Sequence, residues 1–272
     1  MNKINIGFAG CGFLGLYHTG VVAALSSHGK GFVSKIDRVS GASSGSLHAA
    51  MLVCDTPLDK CISIGLQAAS KLRTNIHKIP WQDLDNELRT GLDQILCEDA
   101  HQLASAKLYI SVTSWTASYT IENRLVSHFE SKSELIDALA HSCFIPLYSG
   151  FSFPKQGNEW IFDGAYTDNL PLFEEFENVT VSPFASSGAG ISPRENKDNQ
   201  FEIVYMNTPY AMTYSNIKRL WRVVVPPSNE GLKQLYMTGY KDGKLFLKKR
   251  GVFEAAPVPD LLHLFDQEDS NG

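Results

Sequence analysis

The sequence predicts an α/β protein with parallel strands. Two strand-turn-helix units follow one another, over residues 4–29 and 36–53, and consecutive units of this kind pack as parallel strands joined by right-handed crossovers. The 272 residues, 43% hydrophobic and 19% charged, can build one large domain with a sizeable core. We therefore expect a single domain over residues 1–251 and a partly disordered C-terminal tail over residues 252–272.

The first unit is a short apolar strand, a glycine-rich turn and a helix. The strand covers residues 4–9, the turn is residues 10–15 (GCGFLG), and the helix is expected to stop near Gly29. Residues 4–27 carry no acidic residue, lysine or arginine and superficially resemble a signal peptide or a membrane span. Their glycines, and the division into a strand-like and a helix-like half, favour a buried unit instead.

The second unit repeats this plan with a serine at the corner between strand and helix. The pentapeptide at residues 41–45 (GASSG) places Ser43 between Gly41 and Gly45. Small residues two positions before and after a serine allow a sharp turn that pushes its side chain outward. The pattern predicts a nucleophile elbow at Ser43, and the alternative is an ordinary Gly/Ser turn.

Further helices and strands are predicted along the rest of the chain. Apolar spacing and breakers predict helices at 60–75, 82–97, from Ser131 to before Pro146, 215–225 and 229–250 with Gly251 as cap. β-Branched and aromatic runs predict strands at 107–114, 120–129, 160–162, 179–181 and 201–205, the first two as an antiparallel pair. Residues 185–199 are expected to form an exposed loop, and residues 266–272 to be disordered.

Charge and cysteine content exclude several classes of protein. A net charge of −5 gives no electrostatic case for binding nucleic acid. The five cysteines are odd in number and show neither a C-x-x-C pair nor zinc-ligand spacing. We expect reduced thiols in an intracellular protein that is not secreted, with no metal site and no cofactor.

The glycine turn has two interpretations. Gly10, Gly12 and Gly15 satisfy the dinucleotide fingerprint G-x-G-x-x-G, which would make the chain a nucleotide-binding oxidoreductase. That function requires an acid at the end of the next strand, where this chain delivers Ser43. The same glycines can instead present backbone N–H groups to a negatively charged oxygen, and this second use favours a hydrolase.

A nucleophilic serine needs a base, and Asp163 is the acid most clearly placed at the end of a strand. Asp-Gly is also a common turn cap, which is the alternative role for Asp163. A second alternative is the order Ser…Asp…His of the α/β-hydrolases, with His263 as base. His263 lies in a terminal segment, which favours a surface histidine, and His18 and His48 are expected to pack or hydrogen-bond rather than catalyse.

These residues together resemble the patatin-like phospholipases, and within them the animal branch typified by adipose triglyceride lipase. The resemblance rests on residues 4–15, on residues 41–45, and on Asp163-Gly164-Ala165 followed by Asn169-Leu170-Pro171. It continues through residues 128–136, 144–150 and 179–184, and more weakly through 239–243. Two small differences are Cys11, where plant and bacterial members have glycine, and Ala165, where a second glycine is usual.

The resemblance implies a three-layer α/β/α fold with a mostly parallel mixed central sheet. It also implies a Ser-Asp catalytic dyad with Ser43 as nucleophile and Asp163 as base. The N–H groups of Gly10, Cys11 and Gly12 would form the oxyanion hole. Apolar residues near the site are candidates for an acyl channel, although they are equally expected as plain core: Phe13, Leu14, Phe144, Ile145 and Leu147.

The expected function is that of a serine lipid acyl hydrolase, of the triacylglycerol lipase or phospholipase type, with acyl transfer as a side activity. The alternative is a catalytically weak lipid-binding regulator of other lipases. The expected partner is a glycerolipid at a membrane or lipid-droplet surface, and the resemblance allows for a protein co-activator. We expect a cytoplasmic protein, peripherally associated through residues 221–226 or the basic turn at 244–250.

Overall fold

The computed structural model describes residues 3–74, 84–188, 190–194 and 201–266. Within these residues, seven strands form one sheet in the order β5-β6-β3-β2-β1-β7, with β4 on the other edge of β3. The strands are β1 (Ile4–Phe8), β2 (Ile36–Ala42), β3 (Leu108–Trp115), β4 (Ile121–Val126), β5 (Lys155–Gln156), β6 (Glu159–Asp163) and β7 (Glu177–Val181). A separate hairpin pairs β8 (Glu202–Tyr205) with β9 (Thr208–Ala211).

Helices flank the central sheet. They are α1 (Leu16–His28), α2 (Lys30–Val33), α3 (Ser44–Val53), α4 (Leu58–Thr74), α5 (Leu84–Ile95), α6 (Ala100–Ala104), α7 (Lys132–Ser142), α8 (Tyr214–Val224) and α9 (Asn229–Lys249). Three short 3₁₀ turns cover Gly12–Gly15, Gly164–Tyr166 and Leu262–Asp266. None of the helices within the described ranges combines the length and apolar character needed to cross a membrane.

The sheet is parallel at its centre and antiparallel at one side. Strand β1 runs parallel to β2 and β7, and β2 runs parallel to β3. Strand β3 pairs antiparallel with both β4 and β6, and β5 pairs antiparallel with β6. This arrangement confirms the predicted α/β fold with a mostly parallel mixed sheet between helices.

One edge of β3 is shared by two strands that approach it from opposite directions. Strand β2 pairs with the first half of β3, where Ala42 lies opposite Ser111. Strand β6 pairs with the second half, where Asp163 lies opposite Val112. Because β4 pairs with both halves of β3, it takes the other edge. The carboxyl ends of β2 and β6 therefore meet.

Helices α1 and α9 pack side by side against the sheet. Gly20 lies against Tyr236, and Gly29, further along the chain, lies against Leu247. Residue numbers at the contacts therefore increase along both helices in the same direction, so the two helices run parallel. The predicted cap is confirmed, because Gly251 has a φ of +67° and its N–H bonds to the Lys248 carbonyl. This left-handed residue closes the helix and turns the chain back.

The described part of the predicted tail, residues 252–266, lies against the domain. Val252 and Phe253 pack on the main core, and Phe265 is only 4% exposed, next to Tyr236. Residues 267–272, for which the sequence predicts disorder, lie outside the described residues. The domain boundary after residue 251 stays a prediction.

The predicted helices and strands are present with ends shifted by up to a few residues, but one loop prediction is wrong. Residues 185–199 are not uniformly exposed, because Ala185 and Ile191 are buried. The Ile191 N–H donates to the Thr180 carbonyl, and the Ile191 carbonyl accepts the Ser182 N–H. These two hydrogen bonds form an isolated parallel bridge beside β7. Of the residues in these predicted elements, 75, 82, 83, 189 and 195–199 lie outside the described residues.

Candidate active site

Ser43 occupies a strained turn between β2 and α3. Its φ of 52° and ψ of −135° lie in a region that residues with a side chain rarely adopt. A Cβ on Gly45 would lie 2.2 Å from the Phe8 carbonyl oxygen, and one on Gly41 would lie 2.6 Å from Gly45. The glycines that flank the serine are therefore required by close backbone packing, as the elbow pattern predicts.

The backbone of Ser43 is held by a serine that the sequence did not single out. Its N–H donates to Ser142 Oγ at 2.9 Å, and Ser142 Oγ donates to the Ser111 carbonyl at 2.7 Å. Ser142 ends α7 and is fully buried. A lone serine at the end of an amphipathic helix has no sequence signature, so only the fold reveals this bridge between the elbow and β3.

Asp163 ends β6 as a buried carboxyl, only 2% exposed, beside the serine. Burial raises the pKa of Asp163 from 3.8 to about 7, because desolvation disfavours the charged form. The Ser43 hydroxyl interacts with this carboxyl, and the Ala165 N–H donates to Oδ1 at 2.8 Å; both favour ionisation and limit the rise. The result is a carboxyl that changes charge near neutral pH, next to a hydroxyl.

The glycine turn lies next to Ser43, as the sequence predicts. Of the three N–H groups expected to form the oxyanion hole, however, two already have acceptors. A Cβ on Gly10 would lie 3.1 Å from Ser43 Cβ. The Gly10 N–H donates to the Asn169 carbonyl at 3.2 Å, and the Cys11 N–H donates to Ser44 Oγ at 3.2 Å. The Gly12 N–H has no hydrogen-bond acceptor within the described residues, so it is the donor most open to a ligand.

Two buried histidines brace the turns behind this site. His48 Nδ1 donates to the Ser44 carbonyl at 2.6 Å, and its Nε2 faces the Thr19 hydroxyl at 3.0 Å. His18 Nε2 donates to the Ala9 carbonyl at 2.8 Å. Burial lowers the pKa of His48 to about 4 and that of His18 to about 3, so both rings are neutral at pH 7. Each ring fixes a backbone carbonyl beside the elbow or the glycine turn.

The structure gives no support to His263 as a catalytic base. Its side chain is exposed, and the carboxylate nearest to it is Asp260 at 3.9 Å. The side-chain and backbone groups that favour the ionised form of Asp163 are Ser43 and Ala165. Within the described residues, the groups recorded as partners of the Asp163 carboxyl thus include a serine and no histidine.

Ser43 lies in the wall of a cavity of about 640 Å³ between helices α1, α3, α4 and α5. Most of the lining is apolar, and it includes Phe13 and Ile145, as expected for an acyl channel. Leu14 and Phe144 do not line it; they are buried in the core. Leu147 is 64% exposed on the surface. Two of the five candidate channel residues are thus in the cavity.

Helix α8 covers the glycine turn and leaves no room for a dinucleotide. Gly12 has a φ of +52°, and a Cβ on it would lie 2.1 Å from the Val223 carbonyl oxygen. A pyrophosphate bound to this turn would need the space that α8 occupies. The carboxylate that would bind a ribose is also absent from the end of β2, where Ser43 stands.

Comparisons with known proteins give the family of this chain. The family model described as patatin-like phospholipase matches residues 8–175. Human patatin-like phospholipase domain-containing protein 4 is 35% identical over 258 residues, which cover 93% of this chain and 100% of that protein. The rat patatin-like phospholipase domain-containing protein 2 is 38% identical over 98% of this chain and 56% of its own length.

A third relative, mouse 1-acylglycerol-3-phosphate O-acyltransferase Pnpla3, is 35% identical over 91% of this chain and 60% of its own length. The chain thus spans the whole of one relative and little more than half of the other two. The family model covers more than half of this chain, and the human relative is matched along its entire length. The chain belongs to the patatin-like phospholipase family.

Proposed function

We propose that this chain is a serine lipid acyl hydrolase in which Ser43 and Asp163 form a catalytic dyad. The observation that carries the proposal is the strand register, in which the ends of β2 and β6 meet on β3 and place Ser43 beside Asp163, a buried carboxyl with a pKa of about 7. A general base works best when its pKa is near the working pH, because much of it is then ionised and it still binds a proton strongly enough to remove one from serine. The apolar cavity beside Ser43 supplies a place for an acyl chain.

The reaction proceeds in two halves. Asp163 takes the proton of Ser43 Oγ while that oxygen attacks the ester carbonyl carbon. The tetrahedral intermediate collapses to an acyl-serine, and the leaving alcohol receives the proton from Asp163. Water then attacks the acyl-serine while Asp163 takes its proton. Fatty acid leaves, and the proton returns to Ser43 Oγ.

The oxyanion of both intermediates would be stabilised by the glycine turn. We assign the Gly12 N–H as the first donor, because the described residues offer it no other acceptor. Donation from Cys11 requires its N–H to leave Ser44 Oγ, and donation from Gly10 requires it to leave the Asn169 carbonyl. Each donor lost from such a hole typically slows an acyl transfer by about 10²- to 10³-fold.

The substrate class is a glycerolipid ester. The family relation and the apolar cavity support a lipid, and the mouse relative is named as an acyltransferase of a glycerol phosphate ester. Triacylglycerol and phospholipid remain the two candidate substrates, at the surface of a membrane or a lipid droplet. Transfer to an acceptor alcohol follows the same chemistry, because an acyl-serine reacts with an alcohol as it does with water.

Labelling with a fluorophosphonate tests the proposal directly. Mass spectrometry of the labelled protein should find the adduct on Ser43, and Ser43→Ala should neither be labelled nor release fatty acid from triolein or phosphatidylcholine. The matched control is Ser63→Ala, which removes a hydroxyl that bonds only within α4. Fatty-acid release by Ser43→Ala would contradict the proposal, and bound lipid without labelling of wild type would favour a regulator.

A further inference from the structure

Helix α8 presents four large apolar side chains to solvent and buries an asparagine against the protein. The outward residues Tyr214, Ile217, Leu220 and Trp221 are between 59% and 73% exposed. At roughly 100° per residue they occupy an arc of about 120°. A helix that serves only to cover a domain turns its apolar stripe inward, so α8 is inverted relative to that pattern.

The inward side of α8 is fixed by an asparagine. Asn216 is 6% exposed, and its side chain donates to the carbonyls of Ala185 at 2.8 Å and Ala211 at 2.7 Å. It also accepts the Ala185 N–H at 3.0 Å. These three hydrogen bonds set the rotation of the helix about its axis. The outward stripe therefore follows from specific contacts rather than from a loosely attached helix.

The helix that carries this stripe also forms part of the wall of the cavity that holds Ser43. Val223, near the end of α8, lines the cavity, and the next carbonyl, that of Val224, accepts the Tyr148 hydroxyl at 2.6 Å. Tyr148 also lines the cavity. In the same loop, Leu147 and Phe151 are 64% and 65% exposed. Two segments that line the cavity, α8 and the loop of Tyr148, thus also carry exposed apolar side chains.

The charge of α8 differs from that of the chain as a whole. The sequence of α8, YSNIKRLWRVV, contains Lys218, Arg219 and Arg222 and no acidic residue, while the whole chain carries −5. Lys218 and Arg222 are exposed beside the apolar stripe. Cations that flank an apolar face are typical of helices that lie in the interface of an anionic lipid layer.

The basic turn at residues 244–250 cannot share this surface. Helix α9 runs parallel to α1, from the cavity at Leu232 towards Gly29 at the far end. There Arg250 pairs with Glu177, the first residue of β7, at the opposite end of the sheet from Ser43. Of the two segments that the sequence suggests for membrane contact, only the one on α8 lies at the cavity.

We propose that α8 is an interfacial helix that docks the protein on an anionic phospholipid surface, with Leu147 and Phe151 as the second contact. Its role in catalysis rests on the proposed function, since docking in this orientation lets an acyl chain pass from the lipid layer into the cavity without crossing water. The binding itself requires no chemistry at Ser43.

Binding to vesicles tests the proposal independently of hydrolysis. Wild type and Ser43→Ala should co-sediment equally with phosphatidylcholine vesicles that contain phosphatidylserine. Ile217→Ser/Leu220→Ser should partition at least about tenfold more weakly. The matched control is Leu103→Ser/Leu172→Ser, which removes two exposed leucines, 45% and 44% exposed, away from α8. That control should bind as wild type does.

Trp221 reports the orientation of the bound protein. Its fluorescence should be quenched by brominated acyl chains, and Trp221→Phe should lose most of that quenching while the other three tryptophans, Trp81, Trp115 and Trp160, remain. Lys218→Gln/Arg222→Gln should bind phosphatidylserine vesicles about tenfold more weakly and phosphatidylcholine vesicles unchanged.

The outcomes separate the two proposals. Vesicle binding that depends on Ile217 and Leu220, without fatty-acid release by wild type, retains the docking surface and overturns the proposed hydrolysis. Fatty-acid release with vesicle binding that is equal in wild type and Ile217→Ser/Leu220→Ser overturns the docking surface. A concentration-dependent dimer that this variant abolishes, without vesicle binding, would assign the stripe to a second copy of the chain and also overturn it.

Discussion

Ala42 and Asp163 end two strands that meet along a single edge of β3, opposite Ser111 and Val112 respectively. Because β2 and β6 point towards one another, the residue that follows Ala42 comes to lie beside the last residue of β6. Strand register alone thus brings together Ser43 and Asp163, which are 120 positions apart in the chain. This register is the structural basis of the proposed dyad.

The rate of hydrolysis should depend on the charge of Asp163. In the proposed dyad the ionised carboxyl is the base, and its pKa is about 7, so kcat/KM should fall about tenfold per pH unit below that value and level off above it. His18 and His48 are neutral across this range and add no second step. Rates on a water-soluble short-chain ester measure the profile, and a profile flat down to about pH 5 would contradict Asp163 as base.

Removing the charge of Asp163 should stabilise the fold while it abolishes activity. Below pH 3.8, the pKa of Asp163 in the unfolded chain, the carboxyl is neutral in both the folded and the unfolded state. Between pH 3.8 and about 7 it ionises in the unfolded state but stays mostly protonated in the folded state, so the folded wild type loses stability as the pH rises through this range. Asp163→Asn should therefore gain about 2–4 kcal/mol over wild type near pH 8 and little near pH 4. Thermal unfolding at the two pH values measures the difference.

Asp168→Asn is the matched control for this prediction. Burial also raises the pKa of Asp168, but its Oδ1 accepts from Asn207 and Leu170 rather than contacting Ser43. It should retain most of the hydrolytic activity. Equal loss of activity in both variants would mean that the region needs negative charge in general rather than a base at residue 163.

Ser142→Ala should slow the reaction through the position of Ser43. The variant leaves the Ser43 N–H without its acceptor, which costs about 1–3 kcal/mol of stability and loosens the elbow. We expect kcat to fall at least about fivefold with little change in KM. Ser105→Ala removes a hydroxyl that bridges the N–H and carbonyl of Phe129 in the same way. Because Ser105 precedes β3, at the other end of the sheet, its loss should cost stability but leave kcat unchanged.

Gly45→Ala should prevent the elbow from forming. The added methyl group would meet the Phe8 carbonyl at 2.2 Å, a contact that requires β1 or α3 to move. We expect a loss of at least about 3 kcal/mol or no folded protein. Gly65→Ala, in the middle of α4, meets only Leu16 Cδ2 at 3.4 Å and should stabilise by up to about 1 kcal/mol. Chemical denaturation compares the two, and equal stability would contradict the close packing at Gly45.

The sequence alone predicts those parts of the fold and the site that depend on residues close together in the chain. The two strand-turn-helix units, the serine between Gly41 and Gly45, and the cap at Gly251 depend on neighbouring residues, so spacing and residue type predict them. The family resemblance extended this to the mixed sheet. The strand-end position of Asp163 already indicated it as the base for Ser43, and the resemblance supported that choice. No local pattern gives the register of β6 against β3.

The sequence did not predict the support of Ser43, the acceptors of the glycine-turn N–H groups or the rotation of α8, because these depend on contacts between residues of different elements. Ser142 supports Ser43 from a separate helix, and the acceptors of the Gly10 and Cys11 N–H groups come from Asn169 and Ser44. The rotation of α8 is set by hydrogen bonds to two residues outside that helix. Apolar spacing in the sequence marks a stripe but does not say which way it faces.

The positive φ of Ser43 bears on how this chain would change over generations. A glycine at this position would relieve about 1–3 kcal/mol of backbone strain against a cost of about 0.5–1 kcal/mol from its greater freedom in the unfolded chain, so the balance of stability favours its replacement. Only a requirement for the hydroxyl opposes that drift. Under the proposed function, a descendant that no longer needs the hydroxyl would be expected to replace this serine with glycine early and keep the surrounding fold, so the residue at position 43 would distinguish active from inactive copies.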